Sequence, residues 1–593
     1  MQQRTSQLHP RQNSGLQPVY DESFSTHLVP ITSPHIVSSC RKLHPERYYV
    51  CLPPFQAAIW VMDLKRLCDQ LGNASQVGAL TGGHRKFIPE TRLKEMITVA
   101  KIKEELKMEF RFWNRWSDGS LAIKTHKQAP KVFAILSLIG FIKCIKDLHA
   151  EGLTDEHLPL SHKGPTGLVL TSSSKIRKDF HTFARYAGSA RLFLEKQWEV
   201  LAPQLSVSGN HIVLDDSCAL PITITGPRNT RGGASSVVKG TIHEGHFSGF
   251  EIKHKSDLDI AIKELMSTDE HSAEEVFEKE RLNLKDINKI ILHQHLLRTI
   301  ATCMVCDKYY ILFPWAEGGD LNDFWKRRRN GPGDANLVLW SLKQMMGLVD
   351  ALRLMHEINH RHGDLKPGNI LHFPRGNPFC HSEGLQETLV IADYGVAKRH
   401  EDATHMRQDG TNTKATTRAY EAPEAEGPQN DPRSRRYDLW SVGCIFLEFA
   451  VWLLYGHDAV RGFASQRMVK GKMNGGHPCF YATEDNEEQS RAELNEAVND
   501  AVDAIRNDPR CTESTAIGDL VDLIPRYLLL IDAEERDTAQ RFHERLTSIV
   551  SKAEGQSSYL FREVSSPPGI PSAFRYSGKS EGKKLPTIDD MQS

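Results

Sequence analysis

The stretch from His362 to Leu371 places three side chains that could do chemistry within six residues. The Asp364 carboxylate can accept a proton from a hydroxyl, and the Lys366 ammonium, two positions on, can neutralise a phosphate. The Asn369 amide oxygen is a suitable ligand for a divalent cation. Pro367 stiffens the backbone between these residues. Residues of these types at this spacing favour transfer of a phosphoryl group to a hydroxyl.

A lysine and a glutamate upstream could position a nucleotide. The apolar run Ile260–Lys263 predicts a strand that ends in a lysine, and a charged helix is predicted over 273–286. Helical spacing places Phe277 and Glu280 on one face, which favours Glu280 as the acid that points toward the strand. Glu278 is a near neighbour and stays an alternative.

Two further stretches have features of a nucleotide pocket. Gly232 and Gly233 lie between β-branched runs, so backbone amides could approach a phosphate there, and Val237 could cover an adenine ring. A plain hairpin turn would explain these glycines equally well. The run Tyr309–Leu321 reads as a buried strand, then extended backbone, then a Gly-Gly turn into a helix.

Carboxylates also follow the central stretch. The apolar strand that begins at Leu389 delivers Asp393 into a turn at Gly395. A polar loop over 400–417 then leads into Tyr420–Glu424. The long apolar-periodic helix predicted over 335–356 ends at the central stretch and would support it.

Taken in order, these stretches resemble the motifs of eukaryotic protein kinases across roughly residues 207–550. Residues 362–369 match the pattern H-R-D-L-x-x-x-N except for Gly363, and residues 422–424 match A-P-E. Residues 260–263 resemble V-A-I-K, and residues 393–395 resemble D-F-G with Tyr in place of Phe. Asp364 lies 101 residues after Lys263 and 29 residues before Asp393, and both separations are ordinary in that family. The runs 309–319 and 197–203 also resemble a group of filamentous-fungal kinase-domain proteins with a helical N-terminal region.

The resemblance implies a role for each residue. Asp364 would orient and deprotonate the substrate hydroxyl, Lys366 would neutralise the γ-phosphoryl group, and Lys263, held by Glu280, would position ATP. Asn369 and Asp393 would hold Mg²⁺. The implied ATP-binding residues are Gly232, Gly233, Val237, Ala261, Lys263, Phe313, Pro314, Ala316 and Leu371.

Other positions suit a protein substrate that carries serine or threonine. By resemblance, Lys366 and Thr417 are typical of kinases with such substrates, and Arg536 would pair with Glu424 of A-P-E. Pro314 has no N–H group, but the resemblance implies that only its carbonyl oxygen contacts adenine.

Two departures from the kinase pattern bear on activity and regulation. Of the three glycines in G-x-G-x-x-G-x-V only the middle one, Gly232, is kept, which leaves a nucleotide-binding or scaffold pseudokinase as the alternative to an active enzyme. Gly363 replaces the Arg that normally pairs with a phosphate on the activation loop. We therefore expect activity not to depend on phosphorylation of Thr411, Thr413 or Thr416.

Two metal-like patterns compete with this interpretation. His356-Glu-Ile-Asn-His360 has the form of the zinc-protease signature H-E-x-x-H, but Arg361, His362 and Gly363 then break the helix and no third ligand is evident. Cys303-Met-Val-Cys306 has metal spacing without a second pair, so core thiols are the better interpretation.

The bulk composition sets the remaining expectations. With 74 Lys plus Arg, 75 Asp plus Glu and a pI near 7.2, the 593-residue chain gives no argument for nucleic acid or a membrane surface as a partner. Its 11 scattered cysteines predict reduced thiols in an intracellular protein, cytoplasmic or nuclear. The polar N-terminus predicts no signal peptide, and the apolar runs 132–142 and 439–455 are interpreted as core helices of a soluble protein.

The expected fold class is α+β: a bilobal protein kinase fold, with a small antiparallel β-sheet lobe and a helical lobe, preceded by a mainly α-helical domain. The predicted divisions are a flexible arm over 1–45, a helical domain over 46–205, a kinase domain over 206–550 and a disordered tail over 551–593. Within the kinase domain, the small lobe spans 206–316 and the large lobe 317–550. The helical domain could bind a regulatory partner or could only stabilise the kinase domain.

Overall fold

The structure is a computed structural model. It describes residues 66–576, apart from residues 79, 81–84, 110–118, 165–166, 174–175, 207–209, 230–234, 249–256, 268–270, 291–292, 306, 329–333, 376–386, 394–397, 400–417, 427–432, 471–476, 487–488 and 567. The predicted arm over 1–45 therefore lies outside the described residues.

The α-helices are α1 Leu67–Ala74, α2 Glu90–Met96, α3 Val99–Glu109, α4 Gly119–Gln128, α5 Pro130–Leu138, α6 Ile145–Ala150, α7 Ser189–Lys196, α8 Ala273–Ile290, α9 Leu321–Arg327, α10 Ala335–Glu357, α11 Tyr437–Tyr455, α12 His457–Lys470, α13 Glu496–Arg506, α14 Ala516–Tyr527 and α15 Ala539–Gly555. The strands are β1 Gln76–Val77, β2 Lys86–Phe87, β3 Leu160–Lys163, β4 Val169–Ser172, β5 Asp179–Phe180, β6 Leu205–Ser206, β7 Asn210–Val213, β8 Ile222–Asn229, β9 Ser235–Ile242, β10 Phe247–Ser248, β11 Leu258–Leu265, β12 Ala301–Val305, β13 Lys308–Pro314, β14 His360–Arg361, β15 Ile370–Phe373, β16 Thr388–Ile391, β17 Lys398–Arg399, β18 Tyr481–Asn486 and β19 Gln489–Leu494.

Helices α1–α7 form a region with its own apolar core between Leu67 and Val200. A three-stranded antiparallel sheet, β3-β4-β5, completes it, so this mainly helical region also contains strands. Helix α5 begins with a proline, and the Asp155 carboxylate accepts hydrogen bonds from the backbone N–H groups of Lys131 and Val132 at its start. Such an acceptor satisfies donors that have no partner within the helix.

One end of the small-lobe sheet is fixed to this helical region. The ring of Phe87 makes edge contacts with His243 and His246. His246 Nε2 accepts a hydrogen bond from the Glu90 backbone N–H at 3.0 Å, and its Nδ1 lies 3.1 Å from the Pro203 carbonyl oxygen. Because Nε2 accepts, the His246 ring is neutral and carries its proton on Nδ1.

The small lobe is built on a six-stranded sheet with the order β7-β12-β13-β11-β9-β8. Every neighbouring pair is antiparallel except β7 and β12, which are parallel. The expected antiparallel sheet is therefore present, and β7 is added to it as a parallel strand at one edge. The reason is that the segment joining the helical region to β8 runs along the open edge of β12 in the same direction and pairs with it.

The large lobe is arranged around α11, all of whose residues are buried. By length and composition α11 could cross a membrane, but it lies entirely inside the protein, as expected for a core helix. Its one acidic residue in the middle, Glu448, is neutralised there: Arg467 Nη2 lies 2.6 Å away and the Tyr420 hydroxyl donates to it at 2.9 Å. Burial of this carboxylate is tolerated because it is paired and hydrogen-bonded.

The predicted disordered tail is wrong for residues 551–576. Helix α15 continues to Gly555, and short 3₁₀ helices follow at Ser557–Tyr559 and Ser572–Phe574. Phe574 is buried, with its ring 5.0 Å from that of Tyr455 and 6.0 Å from that of Phe463. The burial of this aromatic ring compensates the entropy lost by ordering the segment. Residues 577–593 lie outside the described residues.

Candidate active site

The central stretch is held by a buried carboxylate at the start of α11. Asp438 accepts hydrogen bonds from the backbone N–H of His362 at 2.9 Å and of Gly363 at 2.8 Å, and His356 Nε2 lies 2.9 Å from it. Burial alone would raise the pKa of Asp438, but the hydrogen bond and charge of His356 lower it overall. Gly363 has a φ of +83°, a conformation that glycine adopts without strain.

His362 connects this loop to the strand that precedes Asp393. Its Nε2 lies 3.0 Å from the Ala392 carbonyl oxygen, and its Nδ1 lies 3.3 Å from the Asp364 backbone nitrogen. A neutral ring with its proton on Nε2 satisfies both contacts, one as donor and one as acceptor. The Ala392 N–H in turn donates to the Asn369 carbonyl oxygen at 2.9 Å, so the two segments are fixed to each other.

Within the loop, the side chains of Lys366 and Asn369 both contact Asp364. Lys366 Nζ lies 3.1 Å from Asp364 Oδ2, and Asn369 Nδ2 donates to the Asp364 carbonyl oxygen at 2.8 Å. The same amide nitrogen lies 3.2 Å from Asp364 Oδ2. A hydroxyl that approaches Asp364 would meet a proton acceptor and a positive charge together.

The small lobe contributes Lys263, which lies between two acids. Its Nζ is 2.8 Å from Glu280 Oε1 and 2.8 Å from Asp393 Oδ1. Burial alone would lower the pKa of Lys263, but Asp393 and Glu280 raise it overall, so the ammonium stays charged. The alternative acid, Glu278, instead binds Arg281 within α8.

The residues that the resemblance places around adenine differ in burial. Val237, Ala261, Ala316 and Leu371 are half-buried, whereas Phe313 is buried. In the sheet, Val237 is paired with Lys263, and Ala261 with Phe313. Pro314 ends β13 opposite Ile260.

Asn369 and Asp393 fit the requirements of a Mg²⁺ site. Carboxylate and amide oxygens are the hard ligands that this cation prefers. The Asn369 amide nitrogen contacts Asp364, so its amide oxygen is the atom that could bind a cation. Asp393 has a φ of +64°, a sparsely populated conformation often found at functional sites.

Some of the predicted positions lie outside the described residues. These are Gly232, Gly233, Gly395, Thr411, Thr413, Thr416, Thr417 and Cys306.

The predicted pair of Arg536 and Glu424 is present in the structure. Arg536 donates two hydrogen bonds to the Glu424 carboxylate, at 2.7 and 2.8 Å.

The zinc-like histidines have other partners in the structure. His356 binds Asp438, and His360 Nδ1 lies 3.0 Å from the Ile358 carbonyl oxygen. Within the part of the chain that the structure describes, no group of three or more His, Cys, Asp or Glu side chains is arranged to hold a metal ion.

Sequence reasoning missed two carboxylates of the site. Asp438 directly precedes the apolar run 439–455, and an acid at such a position is a signal for a buried structural role. Burial raises the pKa of the Glu421 carboxyl to about 7. The charges of Arg433 and Arg418 lower this pKa, and the charge of Asp364 raises it. No sequence pattern indicates that shift, because it depends on tertiary burial.

Part of this chain is similar in sequence to known proteins. A family model described as protein kinase domain matches residues 237–542. The calcium/calmodulin-dependent protein kinase cmkA of Emericella nidulans is 28% identical over 160 residues, which cover 27% of this chain and 34% of that relative. Serine/threonine-protein kinase 16 of Homo sapiens is 26% identical over 234 residues, covering 36% and 64%.

A third relative, serine/threonine-protein kinase tousled-like 2 of Mus musculus, is 27% identical over 251 residues, covering 40% of this chain and 31% of that relative. This chain thus spans between about a third and just under two thirds of the length of these relatives. The matched range begins inside β9, so the helical region, β7 and β8 lie before it.

Proposed function

This chain belongs to the eukaryotic protein kinase family, and on that premise we propose that it is an active serine/threonine-protein kinase. It would transfer the γ-phosphoryl group of ATP to a hydroxyl of a protein substrate. The observation that carries the proposal is the convergence of Asp364, Lys366 and Asn369 in one loop, with Lys263 held between Glu280 and Asp393.

The proposed step is a displacement at phosphorus. The bond between the γ-phosphorus and the oxygen that bridges it to the β-phosphate breaks, a bond to the substrate oxygen forms, and Asp364 takes the hydroxyl proton. Lys366 stabilises negative charge on the transferred group, and Lys263 holds the remaining phosphates. Mg²⁺ held by Asn369 and Asp393 would supply positive charge at the phosphates.

The fixed positions of these groups are an advantage for catalysis. Asp438 and His362 hold the loop through hydrogen bonds that involve its backbone, so little reorganisation is needed when charge develops on the transferred group. The sequence motifs alone do not indicate this support, and it favours an active enzyme over a scaffold.

The test is phosphorylation of a generic Ser/Thr substrate such as casein by the full chain, compared with Asp364→Asn. We expect transfer from the wild type and a loss of at least about 100-fold in the variant. Equal signals from the two proteins would overturn the proposal and favour the pseudokinase alternative. Binding of a fluorescent ATP analogue, measured in parallel, would show whether such a pseudokinase still holds nucleotide.

Gly363 leads to a prediction about regulation. Because no Arg is present at this position to pair with a loop phosphate, alanine at Thr411, Thr413 and Thr416 together should change kcat less than about threefold. The measurement is kcat on casein before and after phosphatase treatment. A fall to the level of Asp364→Asn would contradict this expectation.

We also propose an intracellular location, cytoplasmic or nuclear. The cysteines of the described residues are free thiols, which fits a reducing compartment. Imaging of the fluorescently tagged chain in a fungal cell tests this, and secretion into the medium would contradict it.

A further inference from the structure

Strand β7 lies beside the helix that carries Glu280, although it precedes the family-matched range. It pairs in parallel with β12, with His211 opposite Thr302 and Val213 opposite Met304. The Leu214 N–H extends this ladder to the Met304 carbonyl oxygen at 3.4 Å. The strand therefore has a defined register on the sheet edge.

One side chain of β7 reaches the helix. The His211 ring lies 5.5 Å from the ring of Phe277, with 47° between their planes. His211 Nδ1 is 3.0 Å from Thr302 Oγ1, which fixes the orientation of the imidazole. Although the His211 side chain is exposed, it thus contacts a residue of α8 that is fully buried.

Phe277 connects this contact to the active site. The Phe277 ring also lies 4.9 Å from the ring of Tyr309 on β13, so Phe277 contacts both β7 and β13 of the sheet. Glu280 follows Phe277 by three residues, and residues at that spacing share one helix face. A rotation or shift of α8 that moved Phe277 would therefore also move Glu280 relative to Lys263.

Two kinds of contact hold α8. Within the segment, a capping box starts the helix: the Ser272 N–H donates to Glu275 Oε2, and the Glu275 N–H donates to Ser272 Oγ. Its position relative to Lys263 depends instead on buried side chains, and Phe277, Leu284 and Ile287 pack in the core. Phe277 is the member of this group that contacts His211.

We propose that β7 is a brace for α8 and that His211 is a positioning residue for the Lys263–Glu280 pair. The expected effect on catalysis rests on the proposed function, but the role of β7 in holding α8 does not. It makes the activity depend on a segment outside the family-matched range, through the connection between the helical region and the small lobe.

The first test is hydrogen exchange of the nucleotide-free full chain, which does not require any phosphoryl transfer. In His211→Ala we expect the α8 amides to exchange about tenfold faster while those of α11 are unchanged. His211→Phe keeps the aromatic contact with Phe277 and should restore slow exchange. Val213→Ala, on the same strand but 62% exposed, is the matched control and should behave as wild type.

Unchanged α8 exchange in His211→Ala would overturn the proposal. An equal increase in α8 and α11 would also overturn it, because that result indicates general destabilisation.

The second test is a double-mutant cycle on kcat/KM with casein and ATP. His211→Ala should lower kcat/KM about tenfold in the wild type but by less than about twofold in Glu280→Gln, because the positioned acid is already lost. Equal effects in both backgrounds would overturn the positioning role. Absence of transfer by the wild type would instead refute the proposed function, while the exchange experiment would still decide on the brace.

Discussion

The two halves of the candidate active site are held in different ways. In the large lobe, the backbone of His362 and Gly363 is hydrogen-bonded to Asp438, whose side chain is wholly buried in the core. In the small lobe, Lys263 depends on side chains: Glu280 on α8 and Asp393 on another segment. The outer face of α8 is open, with Leu282 half exposed.

The difference shows where the site can be adjusted. Breaking the large-lobe support leaves buried backbone groups without partners, which is costly, so that half has one arrangement. In the small-lobe half, a shift of α8 would change side-chain contacts, while the backbone of the helix keeps its internal hydrogen bonds. A shift of α8 is therefore expected to cost less than breaking the large-lobe support, and the connection to the helical region enters the fold at the small lobe.

The largest expected effect comes from removing the large-lobe support. Asp438→Ala leaves two buried N–H groups without their acceptor and should lower the free energy of unfolding by about 3–5 kcal/mol. Urea unfolding followed by tryptophan fluorescence measures this. Asp323→Ala, which removes a carboxylate outside the loop, is the control; an effect of Asp438→Ala no larger than that of the control would contradict the comparison.

A smaller effect is expected at the glycine of the same loop. Gly363→Ala places a β-carbon at a φ of +83° and should cost about 1–2 kcal/mol of unfolding free energy. The matched substitution Gly555→Ala, near which no heavy atom lies within 4 Å of the added carbon, should cost less. If both variants unfold at the same urea concentration, the loop is not held in this conformation.

The smallest effect concerns the pH dependence of stability. The pKa of Glu421 is raised to about 7, above its ordinary value, so the native state favours the protonated carboxyl. Its stabilising contribution is full below the unfolded pKa, near 4.5, and is lost as pH rises through about 7. The unfolding free energy of the wild type should fall from pH 5 to pH 8, and in Glu421→Gln this fall should be smaller by about 1 kcal/mol. This figure is below the one that the full pKa shift would give, because the group is partly exposed to solvent.

Urea unfolding at pH 5 and pH 8 makes this measurement. The exposed Glu535→Gln serves as the control, and a slope with pH identical in all three proteins would show that Glu421 does not titrate in this range.

Local patterns predicted the groups whose placement depends on one element. Helical spacing favoured Glu280 over Glu278, and the structure pairs Glu280 with Lys263 while Glu278 binds Arg281. The kinase fold and family were likewise predicted from motif order and are confirmed. Helical spacing and the order of motifs can both be read directly from the sequence.

Features that depend on distant packing were missed. The parallel pairing of β7 with β12 joins residues about ninety positions apart, and no periodicity in either strand specifies the direction of pairing. Likewise, the segment around Phe574 was predicted to be disordered from its Ser/Pro/Gly composition, because the surface that buries it lies more than a hundred residues earlier. The other divisions of the chain into domains stay predictions.

The burial of Phe574 has a practical consequence for anyone who shortens the chain. The Gly462 position is covered by the Phe574 backbone, and Gln466 Nε2 donates to the Arg575 carbonyl oxygen at 2.6 Å. A protein cut at residue 542, where the family match ends, would uncover the aromatic faces of Phe463 and Tyr455. Exposed aromatic surface of this kind promotes self-association, so such a fragment would precipitate during purification even though its catalytic loop is complete.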